Sequence, residues 1–250
     1  MKKWKMVLNM TTQIEQFKRE LSLSDKGKQF LEDRLFNSET VDFFNIGFCP
    51  PTSSYHFDLL NGRIIVPIYD TYGNPVAFGG RKIEAYEEQV LRFYQNKSSD
   101  LQGMEKTLKW KNSKWLNTPY TKSNFLFNLN NAKKHIFDSN LCIVVEGYFD
   151  VMRLHQLGFY NCVALCGTSL TVRHCEIIQR YCNQILIMLD GDDAGRTATN
   201  KSVTKARSKG LFAHLVDMPN GLDPDDLSQE TIEIIIKEIN KANEEVYVKL

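Results

Sequence analysis

The sequence predicts an α/β protein: an open, parallel, four-stranded sheet in the second half, covered by helices on both faces, preceded by a smaller mixed α+β part. Three observations carry this. From residue 141 the apolar runs LCIVV, NCVAL, QILIML and FAHLVDM alternate with the longer segments YFDVMRLHQLG, TVRHCEIIQRY and DAGRTATNKSVTKARSKG. The runs are apolar throughout, as strands buried on both faces are, whereas the intervals have helical apolar spacing. Residues 1 to 140 lack that alternation and carry 20 Lys/Arg against 15 Asp/Glu, while residues 141 to 250 carry 11 against 15. One part is basic and the other acidic, a division that suits phosphate binding beside metal binding.

The elements follow in order. Residues 11 to 45 read as helical, from TTQIEQFKRELS through GKQFLEDRLF to ETVDFF, and GFCPPTSS breaks the pattern with two prolines. RIIVPIYDTYGNPVAFGG reads as a hairpin whose turn lies at Tyr72 to Asn74. Residues 84 to 112 are charged, aromatic and poorly periodic, either a long loop or a small helical insertion. Past residue 141, strands alternating with helices imply right-handed crossovers, with Gly158 and Gly210 where helices should stop. The last segment, SQETIEIIIKEINKANEEVYVKL, has helical spacing. The expected division is a basic subdomain over 1–138, an α/β domain over 139–228 and a C-terminal helix over 229–250.

Composition narrows the class. A chain of 250 residues with 42% hydrophobic and 24% charged residues is ordinary globular material with one or two cores. No apolar stretch approaches the roughly 20 residues of a membrane span, and MKKWKMVLNMTTQIEQF has too short and polar a middle for a signal peptide. A cytoplasmic location without membrane association is expected. The six cysteines include no CxxC pair, which argues against a zinc ribbon. Cys162 and Cys166 flank a strand that would hold them about 13 Å apart, too far for one ion. No zinc is expected, and the cysteines read as small buried hydrophobes.

In open α/β sheets ligands gather beyond the carboxyl ends of the strands, and the acids lie there. Glu146 follows LCIVV, with Asp150 on the next helix's first turn; Asp190, Asp192 and Asp193 follow ILIML; Asp223, Asp225 and Asp226 follow FAHLVDMP. Clustered carboxylates repel and raise one another's pKa unless something positive neutralises them. Mg²⁺ or Mn²⁺, two or more ions, suits such hard oxygen donors. Each piece also has a plainer reading. Asp192 or Asp193 can cap a helix, DGDD can be a turn, and Asp223 to Asp225 can be a surface turn. Glu146, between IVV and Gly147, has no capping task.

VVEGYFDV (144–151), LCGTSLT (165–171), LDGDDAGR (189–196) and GLDPDDL (221–227) resemble the Rossmann-like Toprim domain as it occurs in bacterial-type, DnaG-like DNA primases. FFNIGFCPP (43–51), RIIVPIYDTYGNPVAFGGR (63–81) and KWLNTP (114–119) resemble the basic N-terminal subdomain of the same catalytic core. The resemblance covers roughly residues 40 to 228.

It implies synthesis of short RNA primers on single-stranded DNA from nucleoside triphosphates. Glu146, Asp190 and Asp192 would be catalytic. Glu146, Asp150, Asp190, Asp192, Asp223 and Asp225 would hold metal, and Arg63, Arg81, Lys114 and Lys122 would bind nucleotide or template. The glycine pair before Arg81 would let a strand or phosphate approach closely. Three departures stand out. No cysteine precedes Cys49, where the family usually has a zinc-binding domain; one helix follows the Toprim part, where the family has helicase-binding regions; and Ser123 stands where a glycine is common. A replicative helicase or a separate zinc-binding initiation protein is therefore an expected partner, and a compact core of this kind suggests a phage or mobile element. The competing functions are metal-dependent nucleic-acid cleavage by the same sheet edge, and a non-catalytic relative that binds single-stranded DNA or a replisome partner.

Overall fold

The computed structural model describes residues 2–52, 60–97, 113–167, 169–241 and 247–249. The chain divides into two compact units, Met1–Tyr69 with Asn74–Tyr120, and Asp70–Gly73 with Thr121–Leu250. Among the described residues no helix is long and apolar enough to cross a membrane.

The first unit begins with three helices, α1 (Lys2–Ser22), α2 (Asp25–Glu32) and α3 (Ser38–Phe43). Ser24 caps α2 by accepting from the Gly27 amide at 3.0 Å, and Asn37 caps α3 by accepting from the Thr40 amide at 2.8 Å. An antiparallel sheet follows in the order β1 (Gly47–Cys49), β2 (Arg63–Tyr69), β3 (Pro75–Lys82), β4 (Trp115–Asn117). The β2–β3 pair is the expected hairpin, turned by Gly73 at φ +86. α1 lays Met10, Ile14 and Phe17 on this sheet against Cys49, Leu60, Ile65 and Phe78. A Cβ on Gly47 would stand 2.4 Å from the Phe17 Cβ, so glycine sets how closely helix and strand meet. The poorly periodic stretch contains a 3-10 turn (Glu84–Tyr86) and a helix, α4 (Glu87–Lys97).

In the second unit β5 (Leu141–Val145), β6 (Cys162–Ala164), β7 (Gln184–Ile187) and β8 (Phe212–Asp217) form the expected parallel four-stranded sheet, ordered β6-β5-β7-β8. Helices α5 (Leu129–Ser139), α6 (Tyr148–Gln156), α7 (Val172–Ile178) and α8 (Asp193–Ser208) accompany it, with α9 (Gln229–Lys241) after the sheet. Two boundaries differ from the sequence reading. Contacts divide at residue 120 instead of 138, because α5 places Leu129, Ala132 and Ile136 in the same core as Val144, Val163 and Ile187. The segment 229–250 is not one helix: after α9, β9 (Tyr247–Lys249) adds a fifth parallel strand beside β8. Backbone pairing at a sheet edge overrides local periodicity there. All six cysteines are buried thiols.

Candidate active site

The order β6-β5-β7 creates a topological switch point. The chain leaves β5 toward β6 on one side and returns to β7 on the other, so a crevice opens beyond the carboxyl ends of β5 and β7. Glu146 stands one residue past β5, and Asp190 lies just past β7. The Glu146 Oε1 accepts a hydrogen bond from the Asp190 amide at 3.4 Å, which joins the two strand ends.

Other acids surround this pair. Asp192 caps α8, its Oδ1 accepting from the Gly195 amide at 2.6 Å, and Asp193 pairs with Arg196 at 2.8 Å. Asp223 opens the 3-10 turn Pro224–Asp226, where its own amide donates to Asp226 at 2.9 Å. The Asp225 side chain lies outside the described residues. Asp150 is 9% exposed, and its Oδ2 accepts from the Gly147 amide at 2.6 Å, fixing the turn that presents Glu146.

Two glycines lock the DGDD turn. A Cβ on Gly191 would stand 2.0 Å from the Pro219 carbonyl oxygen, and one on Gly195 would stand 2.1 Å from that of Asp190. The Gly191 amide donates to Leu222 O at 3.0 Å, so the turns bearing Asp190, Asp192 and Asp223 are one packed assembly.

Electrostatics register the convergence. The Glu146 carboxyl is pushed above its ordinary pKa, first by burial and then by the Asp192 and Asp223 carboxylates, while the Asp190 amide opposes the rise. Among the described residues, no three His, Cys, Asp or Glu side chains form a closed ion-holding group. Local caps on Asp150 and Asp192 account for part of this. The donor set is carboxylate oxygen and fits a hydrated hard cation of the Mg²⁺ type, which keeps several waters and uses one or two carboxylates.

The basic residues separate into different roles. Arg63 is 2% exposed, and its Nη1 donates to Gly80 O at 3.1 Å and Ser113 O at 3.0 Å. Arg63 opposes Lys82 and Arg81 opposes Ile64, so the two arginines point to opposite faces of the sheet. Gly80, the second glycine of the pair, has a packing task. A Cβ on Gly80 would meet Leu60 at 2.8 Å and the Arg63 Cδ at 2.9 Å, so this glycine makes room for the buried arginine stem.

Arg81 is 7% exposed, its Nη1 is buried without a hydrogen-bond partner, and burial and Arg34 lower its pKa. Arg34, absent from the sequence reading, lies 3.7 Å over the Phe30 ring, with Arg81 5.9 Å from the same centroid. Two guanidinium groups against one aromatic ring form an electropositive spot suited to an anion. Lys114 is exposed, and the half-buried Lys122 donates from Nζ to Cys166 O at 2.8 Å.

Known proteins share both units. Residues 52–133 match the DNA primase catalytic core, N-terminal domain, and residues 143–228 match a Toprim-like domain. The DNA primase of Aquifex aeolicus is 33% identical over 184 residues, which are 72% of this chain and 32% of that protein. The chain thus spans about a third of the length of such a relative. Among solved structures, the zinc-binding and RNA polymerase domains of the Aquifex aeolicus primase superpose with TM-score 0.78 at 25% identity, over 95% of this chain and 62% of that one. A DnaG primase catalytic domain bound to ssDNA gives TM-score 0.76 at 25% identity, over 94% of this chain and 79% of that one. With the basic subdomain and the Toprim-like sheet in the same order, the chain belongs to the DnaG-type primases, where it corresponds to the catalytic core.

Proposed function

We propose that the chain synthesises short RNA primers on single-stranded DNA by metal-dependent nucleotidyl transfer. The observation that carries the reading is the joining of Glu146 to Asp190 at the switch point, with Asp192 and Asp223 close enough to raise the Glu146 proton affinity. Residues 139–228 would supply the metal-binding edge and the preceding residues the nucleic-acid contacts. That a related primase catalytic domain has been solved bound to ssDNA supports the choice of ligand.

Glu146, Asp190, Asp192, Asp223 and Asp225 would hold Mg²⁺ or Mn²⁺. When bound, such an ion supplies neutralisation of phosphate charge during in-line attack. The protein's own contribution is placement. Asp150 orients the Glu146 turn through the Gly147 amide and serves as a support more than as a ligand. The half-buried Glu146 carboxylate, with its raised proton affinity, is suited to accept a proton at an Oε atom. Arg81, with Arg34, would take a backbone phosphate, Lys114 and Lys122 would supply further positive charge, and Arg63 would hold the strands that carry Arg81.

A helicase or a separate initiation protein would bring the core to its template. A labelled DNA strand incubated with template and Mg²⁺ or Mn²⁺, with and without nucleoside triphosphates, tests the chemistry. Nucleotide-dependent lengthening is expected; shortening without nucleotides would assign the edge to hydrolysis, and neither change would leave a binding protein.

A further inference from the structure

Residues Lys122–Asn124 form a 3-10 turn at the start of the second unit. Lys122 reaches Cys166 O, and its Nζ would lie 3.4 Å from a Cβ on Gly167. Its main chain is held as well. His174, 0% exposed in the first turn of α7, places Nε2 3.1 Å from Lys122 O. The Thr171 Oγ1 donates to Ser123 O at 3.4 Å and accepts from the His174 amide at 3.1 Å.

The two ring nitrogens have separate tasks. Nδ1 accepts from the Thr171 amide at 3.3 Å, completing a capping box in which His174 stands where Glu or Gln is usual. With Nδ1 an acceptor, a neutral ring carries its proton on Nε2, which donates to Lys122 O. A cap alone needs no second nitrogen. The second nitrogen joins two segments distant in sequence, one of which carries a lysine on a flexible stem.

We infer that His174 is a positioning residue for Lys122, its Nε2 clamping the turn so that the Lys122 ammonium is preorganised for an anionic ligand, the phosphates of a nucleoside triphosphate. The inference rests on the reading of Lys122 as a nucleotide contact. Asn at this position keeps an acceptor in the place of Nδ1 and loses the reach to Lys122. Gln can extend an amide donor to the place of Nε2, but its single amide cannot serve Lys122 O and the Thr171 amide at once, so binding Lys122 leaves the cap unmade.

Kd for ATP with Mg²⁺ and the melting temperature would be measured for wild type, K122A, H174N, H174Q and the double variant H174N/K122A. K122A and H174N should each weaken binding about tenfold or more. H174Q should bind within about threefold of wild type even where it melts lower, and the double variant should be no weaker than K122A alone. Wild-type affinity in H174N beside a weakened K122A would overturn the inference, as would equal weakening in H174N and H174Q in step with their melting. Wild-type affinity in K122A would instead remove Lys122 from the nucleotide site, and the role of His174 would fall with it.

Discussion

The carboxylate of Glu146 and the backbone amide of Asp190, 3.4 Å apart, join the ends of β5 and β7 at the point where the sheet's connections diverge. An acceptor bond to a main-chain amide leaves the second Glu146 oxygen to the crevice, where the charges of Asp192 and Asp223 are felt.

Replacing Glu146 with Gln removes a half-buried charge that its neighbours oppose. Without metal the variant should melt a few degrees above wild type. Saturating Mg²⁺ should raise the wild-type melting temperature, by about 2.7 kcal/mol of stability at a hundredfold excess over Kd, and raise the variant's much less. Differential scanning calorimetry with and without Mg²⁺ checks both. Equal metal responses would remove Glu146 from the site.

Gly191→Ala should be costly out of proportion to one methyl group. Its Cβ would meet the Pro219 carbonyl oxygen at 2.0 Å and that of Leu222 at 2.9 Å, both backbone atoms. A loss of about 1–3 kcal/mol or more is expected from urea denaturation, together with a weakened Mg²⁺ response because the acidic turns no longer meet. Wild-type stability would show that these turns are not tightly locked.

Much of this site was legible in the sequence. Apolar runs such as LCIVV and QILI can only be buried strands in this alternation, and the acids directly after them fall on one sheet edge by topology. The basic side was less legible. Arg34 lies in the turn just past α2, marked only by Phe30 four residues earlier, and its neighbour Arg81 comes from a distant strand. Nothing in RIIVPIYD says that the Arg63 guanidinium turns inward to main-chain carbonyls. VYVKL, following helical spacing without a turn signal, conceals β9.

Leu35 offers a stability test away from the acids. It has φ 60 and is 68% exposed, in a turn where the Phe36 amide donates to Leu31 O at 3.1 Å and the Leu35 amide to Glu32 O at 2.8 Å. Glycine is the usual residue at such a helix end. Leu35→Gly should stabilise the protein by about 1 kcal/mol, roughly 2–4 °C in melting temperature. A lower melting temperature would mean that the leucine side chain contributes more than its backbone costs.

The pH dependence of stability should carry a histidine signature. Burial, with His135 as a lesser cause, pulls the His155 pKa down from 6.5 to about 4. The unfolded chain therefore binds more protons than the folded one between those values, so this contribution is complete above 6.5 and is lost as the pH falls toward 4. His174, lowered mainly by burial, acts in the same sense. Urea midpoints for wild type and His155→Gln at pH 7 and pH 4.5 should show a shallower acid loss in the variant. Identical losses would assign the acid sensitivity to other groups.

The most direct measurement is primer synthesis by the purified chain on mixed single-stranded DNA templates, with labelled nucleoside triphosphates and Mg²⁺ or Mn²⁺, beside an Asp190→Ala, Asp192→Ala double variant. Short, template-dependent products from the wild type that vanish in the variant are predicted. The same products from both proteins, or none from either, would contradict a polymerase built on the Glu146–Asp190 edge.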